Sequence, residues 1–161
     1  MSEEPQKKII GRAEKVTFPE LELGQIPARI DTGAKTSSIW ASKAVEEDKV
    51  LTVTFFDETS EAFASKTVTF TEYDTTVVAS STGHTQIRYK VRLLVSIKGK
   101  KIRAWFTLAD RSTQVYPVLI GRNVLLGKFI VDVKKGKSMK DDERKRTEML
   151  RSQLDETEEE S

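Results

Sequence analysis

Two short stretches of this chain hold residue types that can do chemistry. The first is Ala28-Arg29-Ile30-Asp31-Thr32-Gly33-Ala34, where an apolar entry meets an acid, a small hydroxyl residue and a glycine. The second is Val118-Leu119-Ile120-Gly121-Arg122-Asn123, an apolar run that also breaks at a glycine. An acid at a strand end presents a carboxylate on a rigid support. Thr32 can hydrogen-bond backbone across the loop, and Gly33 lets the chain pass close to a neighbour or a substrate. Taken alone, Asp31 could equally be a turn residue, since Asp and Gly are common in turns. Other chemistries lack their residues. There is no Cys, so disulfides and thiol chemistry are excluded. His84 is the single histidine, too few for a zinc site of the usual nitrogen and sulfur type. No Gly-Lys-Ser/Thr follows a glycine-rich run, so no phosphate-cradling loop is expected.

The bulk numbers fit one soluble globular domain. The chain has 161 residues, 37% apolar and 32% charged, which the length prior reads as about one domain. No apolar run approaches the roughly 18 residues a membrane helix needs. The N-terminus, Met1 to Lys8, has no apolar core of a secretory signal. The expected location is therefore the cytoplasm, with no membrane partner. A formal charge of +2 gives no reason to expect nucleic-acid binding. Residues 134–161 hold eight basic and nine acidic residues, leaving 19 and 16 in the rest. That tail has only a short apolar stripe (Met139, Met149, Leu150, Leu154), so residues 135–161 are expected to be disordered or a solvated helix. Residues 1–8 are expected to form a disordered arm, and 9–134 the folded domain.

Short strands with turn signals every 8–12 residues fill that domain. Residues 9–23 alternate polar and apolar, punctuated by Gly11 and Pro19, and read as a bent edge strand or two short strands. Gly24-Gln25 reads as a turn, and Ile26 to Ile30 as the strand that carries Asp31. Further strands are expected over Thr36 to Ala41, Val50 to Phe56, Ala62 to Phe70, Thr75 to Ala79, Ile87 to Ile97, Ile102 to Leu108, Val115 to Ile120 and Phe129 to Val133. Only Asn123 to Leu126 looks helical, with Gly127 as a left-handed cap. The pattern indicates an all-β barrel or sandwich with one short helix.

The residues also carry a family resemblance. Ile30-Asp31-Thr32-Gly33-Ala34 resembles the active-site loop of aspartic proteases. Val118 to Leu126 resembles the apolar-apolar-glycine loop and short helix of their retroviral-type members, the retropepsins. Ile87 to Val91 and Lys98 to Ile102 resemble the long strand pair between flap and second loop. More narrowly, Arg29 to Ser38, Leu108 to Ser112, Tyr116 to Asn123 and Leu126 to Val133 resemble a bacterial retropepsin-like family. That family has carried the label ATP-dependent zinc protease and is associated with Rim-type glutamate ligases. The absent ligands and phosphate loop oppose both halves of the label, so no cofactor and no metal are expected. The resemblance implies a retropepsin-like closed barrel and an aspartic endopeptidase with Asp31, Thr32 and Gly33 in the catalytic loop.

Hydrolysis of this type needs two facing carboxylates sharing one proton. Like charges about 3 Å apart cannot both ionise, so one acts as base toward water while the other donates. Such a pair titrates as a unit. This chain has one Asp-Thr-Gly; Asp74-Thr75-Thr76 and Asp110-Arg111-Ser112 lack the glycine and the apolar entry. A C2 homodimer, bringing Asp31 to its symmetry mate, is the simplest solution. Ser80-Ser81-Thr82-Gly83-His84 falls where a flap tip would lie, or is an ordinary hairpin turn. Substrate contacts are expected from Ala34, Lys35, Ser81, Thr82, Gly83 and Arg122. Many retropepsins have an acid where this chain has Lys35. Lys35 and Arg122, with Arg88 and Arg111 nearby, would favour an acidic peptide by charge complementarity, in line with trimming of poly-glutamate tails. Alternatively these cations pair with structural acids such as Asp110 or Asp132. Trp40 stands where much of the family has His, and reads as core or cleft wall. A non-catalytic peptide-binding or scaffold module on the same fold is the competing function.

Overall fold

Strand formation follows the alternation of side chains along the chain. The structure, a computed structural model, describes residues 6–60, 62–79, 82–136 and 139–159. The strands are β1 (Lys8–Ile10), β2 (Ala13–Phe18), β3 (Leu23–Ile30), β4 (Ser37–Glu47), β5 (Val50–Phe55), β6 (Thr67–Phe70), β7 (Tyr73–Ala79), β8 (Thr85–Ile97), β9 (Lys100–Ala109), β10 (Val118–Ile120) and β11 (Phe129–Val131). The helices are α1 (Arg122–Leu125) and α2 (Lys140–Glu159). In β8, Val91, Leu93, Val95 and Ile97 point inward; in β9, Ile102, Ala104, Phe106 and Leu108 do the same. This period of two is what a sheet with one buried face requires. Lys98 and Gly99 join them in a two-residue turn with both φ angles positive, 48° and 80°. That turn matches the twist of the strands it joins and fixes their register, Ile97 opposite Lys100.

The sheet closes on itself. Strands run in the order β10-β3-β2-β8-β9-β4, and β10 pairs again with β4. The result is a closed barrel of six strands, the all-β retropepsin-like barrel expected from the sequence. Phe18 and Phe106 meet edge to face across its interior at 5.4 Å, among Ile26, Ile39, Val91 and Val95. Closure depends on the three-residue β10, which lies parallel to β3 and antiparallel to β4. β5 and β6 extend the sheet beyond β4, and β7 adds to the outer length of β8. β1 and β11 form a separate parallel pair, Lys8 opposite Phe129 to Ile10 opposite Val131.

Several elements differ from the sequence expectations. Gly24 and Gln25 lie within β3; the turn is at residues 19–22, where Pro19 ends β2 and Glu22 takes φ 55°. β2 is an interior strand, paired with both β3 and β8. β4 is 11 residues long because β5 pairs along its outer half. β6 covers only the end of the 62–70 stretch. For the charged tail, expected to be disordered or helical, the described residues form α2, 20 residues long, and Met139 just before it is buried. No described helix is long and apolar enough to cross a membrane.

Candidate active site

Asp31 sits where β3 ends, and β10 reaches its own end beside it. The parallel register sets Ile30 opposite Ile120. The two stretches far apart in sequence are thus neighbours in space. Their backbones are laced together. Asp31 N–H donates to Ile120 O at 2.9 Å, and Arg122 N–H donates to Ala34 O at 2.8 Å. The Asp31 carboxylate folds back on its own loop, where Oδ1 accepts from Gly33 N–H at 3.0 Å. A Cβ at residue 33 would come within 3.3 Å of that oxygen, so glycine keeps this turn uncrowded. The carboxylate remains partly exposed.

Gly121 is required by proximity rather than by torsion. Its φ is an ordinary −99°. A Cβ there would stand 2.3 Å from Thr36 O and 2.9 Å from Ala34 O. No side chain fits between the second loop and the first. Ser37, fully buried at the start of β4, completes the lacing. Its hydroxyl accepts from Gly121 N–H at 2.9 Å and donates to Asn123 Oδ1 at 2.7 Å. Asn123 Nδ2 in turn donates to Trp105 O at 2.9 Å. The catalytic-type loop is therefore held by β10, β4 and β9 together. A site on rigid elements with a locked supporting shell is what precise chemistry needs. Ser37 and Asn123 were not singled out from the sequence. The available signal was a hydroxyl at an inward position of β4, in line with Ile39.

These features decide the family. The model for RimB-like proteins, described as retropepsin-like aspartic endopeptidase RimB, matches residues 9–142. The chain belongs to that family. Among similar proteins, one from Desulfotalea psychrophila named probable alpha-L-glutamate ligase is 31% identical over 82% of this chain and 29% of its own length. A protein of the same name from Shewanella pealeana is 30% identical over 78% of this chain and 28% of its own length. The chain thus spans under a third of the curated relatives it matches. The crystal structure of Lpg0085 from Legionella pneumophila, of unknown function, is 24% identical, covers 80% of this chain and 95% of that chain, and has a TM-score of 0.57. That likeness shows a shared fold alone.

The remaining expected residues fall around the loop. Thr32, Gly33 and Lys35 are exposed, and Ala34 is half-buried. Arg122 opens α1 with its side chain exposed. Neither Lys35 nor Arg122 joins an ion pair among the described residues, so the expected alternative pairing with Asp110 or Asp132 is not made. β7 and the outer part of β8 form the flap-like hairpin. Gly83 near its tip has φ 85° and Thr82 precedes it; Ser81 lies outside the described residues. Val77 and Ile87 face each other across this hairpin and are 68% and 70% exposed.

Positive charge gathers nearby. The Arg111 guanidinium is pushed down, first by burial and then by the charges of Arg29 and Arg88. Its Nε donates to Tyr116 O at 2.8 Å. Arg111, after β9, thus lies near enough to feel the charges of Arg29 on β3 and of Arg88 on the flap strand β8. None has a carboxylate partner among the described residues. Trp40 is buried as expected, with Arg146 of α2 over its ring at 5.2 Å. It lines a cavity of about 480 Å³ beneath α2, which includes no residue of either loop.

Proposed function

We propose that this chain is an aspartic-type endopeptidase that works as a C2 homodimer. One observation carries the reading: a single, partly exposed Asp31 carboxylate on a loop fastened by Ile120, Ala34 and Ser37. Two such loops facing each other would hold one proton between them. The ionised carboxylate would take a proton from water, and the protonated one would donate to the scissile carbonyl oxygen. Placement of these groups beforehand is the main source of rate enhancement in such a site. The β7–β8 hairpin would close over the peptide, its exposed Val77 and Ile87 providing an apolar underside. A dimer suits the surface at β1 and β11, a two-stranded sheet separate from the barrel sheet. Ile9 and Ile130 are exposed across that pair, with Val133 and Leu126 nearby in sequence. Together they offer apolar surface that a second copy would bury.

The substrate class we infer is an acidic peptide, such as a poly-glutamate tail. Arg29, Arg88, Arg111, Lys35 and Arg122 lack carboxylate partners among the described residues, and an acidic substrate would supply them. The glutamate-ligase names of the relatives agree with that chemistry. The test is incubation with oligoglutamate and neutral peptides, beside an Asp31→Asn variant. Cleavage that disappears in Asp31→Asn is expected. Identical behaviour of the two proteins would remove the peptidase and leave a peptide-binding module. A strict monomer at high concentration would leave Asp31 without its partner.

A further inference from the structure

The family match ends at residue 142, just inside α2. The next residue, Glu143, is aimed back at the barrel. Its Oε1 accepts from Arg12 Nη1 at 2.9 Å, and the Tyr116 hydroxyl donates to the same oxygen. Burial, then this hydrogen bond, pushes the Tyr116 hydroxyl up and keeps it a donor. The three residues line an open cavity of about 380 Å³ that also takes in Arg29, Ile30 and Thr147. Arg29 and Ile30 are the two residues before Asp31, and Ile30 N–H donates to Arg12 O at 2.9 Å. The cavity therefore flanks the loop that carries Asp31.

The barrel's side of this cavity is built for an anion. It offers the Arg12 guanidinium, the Tyr116 hydroxyl and a second guanidinium, Arg29, with no carboxylate partner among the described residues. Charge-assisted donors of this type recognise carboxylates strongly. Among the described residues that line it, the one carboxylate is Glu143 of α2. The rest of α2 is held mainly through one residue. Arg146 donates to Ser112 O at 2.5 Å, Gln114 O at 3.2 Å and Thr59 O at 3.3 Å and lies over the Trp40 ring at 5.2 Å, and Lys15 approaches Asp142 at 4.0 Å. Residues 151–156 are exposed. An element whose outer turns are exposed and whose attachment centres on one arginine opens at a lower cost than the barrel does.

We propose that Arg12, Arg29 and Tyr116 form a carboxylate subsite beside the Asp31 loop, and that Glu143 occupies it as an internal competitor of acidic substrate. This rests on reading the Asp31 loop as the floor of a substrate cleft. Entry of a substrate carboxylate requires Glu143 to leave, so α2 sets the apparent affinity for acidic peptides. Such self-competition lowers apparent affinity by the fraction of chains with the subsite open.

Binding of tetraglutamate, by calorimetry in an Asp31→Asn background, tests this without turnover. Adding Glu143→Ala is expected to tighten binding at least about tenfold, and tetraglutamine should gain nothing. Adding Arg12→Ala to Glu143→Ala should abolish the gain. Arg146→Ala, which loosens α2 without touching the subsite, should tighten binding in the same direction, so the test survives if Glu143→Ala folds poorly. Unchanged affinity in both the Glu143→Ala and Arg146→Ala proteins, or an equal gain for tetraglutamine, overturns the proposal. If the unmodified protein cleaves peptides but these gains are missing, the subsite fails alone. If the gains appear but the unmodified protein never cleaves, the peptidase reading fails and the subsite stands.

Discussion

Ser37→Ala isolates the bond that fastens the two loops. It removes the acceptor of Gly121 N–H at 2.9 Å and the donor to Asn123 Oδ1 at 2.7 Å. These two losses are unequal. Gly121 is buried, so its N–H loses its partner with no water to replace it, which costs about 1–3 kcal/mol. Asn123 is exposed, so its oxygen can turn to solvent at little cost. Only one oxygen atom is deleted, so the cavity contribution is minor. The expected loss is about 2 kcal/mol. For a domain of this size each kcal/mol shifts Tm by about 2–4 °C, so the midpoint should fall by about 4–8 °C. Differential scanning calorimetry of Ser37→Ala, Asn123→Ala and the double variant measures it. Asn123→Ala should cost less, because the Gly121 N–H keeps its Ser37 acceptor and Trp105 O is half-exposed, leaving only the Ser37 hydroxyl without its acceptor. The pair should couple by roughly 0.5–1 kcal/mol, since one bond is shared. A Ser37→Ala midpoint within about 1 °C of the parent would refute the reasoning. So would an Asn123→Ala loss larger than that of Ser37→Ala.

Gly121→Ala should be among the most damaging small substitutions, because its Cβ meets Thr36 O at 2.3 Å and Thr36 C at 2.7 Å. Urea unfolding is expected to show a loss at or above the top of the about 1–3 kcal/mol range for overpacking, together with loss of any Asp31-dependent cleavage. Arg146→Ala deletes bonds to Ser112 O, Gln114 O and Thr59 O and the contact over Trp40. Limited proteolysis should then cut within residues 139–159 much faster than in the parent, while the barrel fragment stays intact. Asp110 is held below its ordinary value of 3.8 by Ser112, first through the side chain and then through its N–H. Its contribution to stability is therefore fully present above that value and is lost as pH falls through the lowered folded value. Asp110→Asn should flatten that part of a Tm-against-pH curve by lowering the neutral plateau, the variant and the parent converging at low pH.

How much of this was legible in the sequence depended on how local each signal was. Asp31-Thr32-Gly33 and Ile120-Gly121-Arg122 were readable because turn chemistry and close approach need particular residue types within a few positions. The β8–β9 hairpin was readable for the same reason, through Lys98-Gly99 and unbroken alternation. Ser37 was not, because its role comes from the register of β4 against β10, and no local pattern encodes a register between strands so far apart. Gly24-Gln25 misled because glycine in a strand looks like a turn when the pairing partners are unknown. The docking of α2 was hidden for a different reason. Its apolar stripe is weak, and its attachment rests on Arg146, Glu143 and Asp142, whose partners lie on β2, β9's following loop and the turn after β5. Hydrophobic periodicity, the main sequence signal, does not register such polar attachment.

The two halves of the site are fastened in a way that separates what is rigid from what can move. Asp31 N–H depends on Ile120 O, Arg122 N–H depends on Ala34 O, and Gly121 leaves no gap between the loops. β10 therefore cannot shift without carrying Asp31 with it, and the loop and its support behave as one body. The elements above that body are held far less. The β7–β8 hairpin exposes Val77 and Ile87, and α2 is held mainly through its first two turns. On the dimer reading, the distance between the two Asp31 carboxylates would then be set by how two rigid bodies meet, not by loop adjustment. Regulation would fall to the hairpin and to α2, the parts that can be displaced without disturbing the floor. A precise floor under displaceable covers reconciles the small tolerance of acid-pair chemistry with the need to admit a peptide.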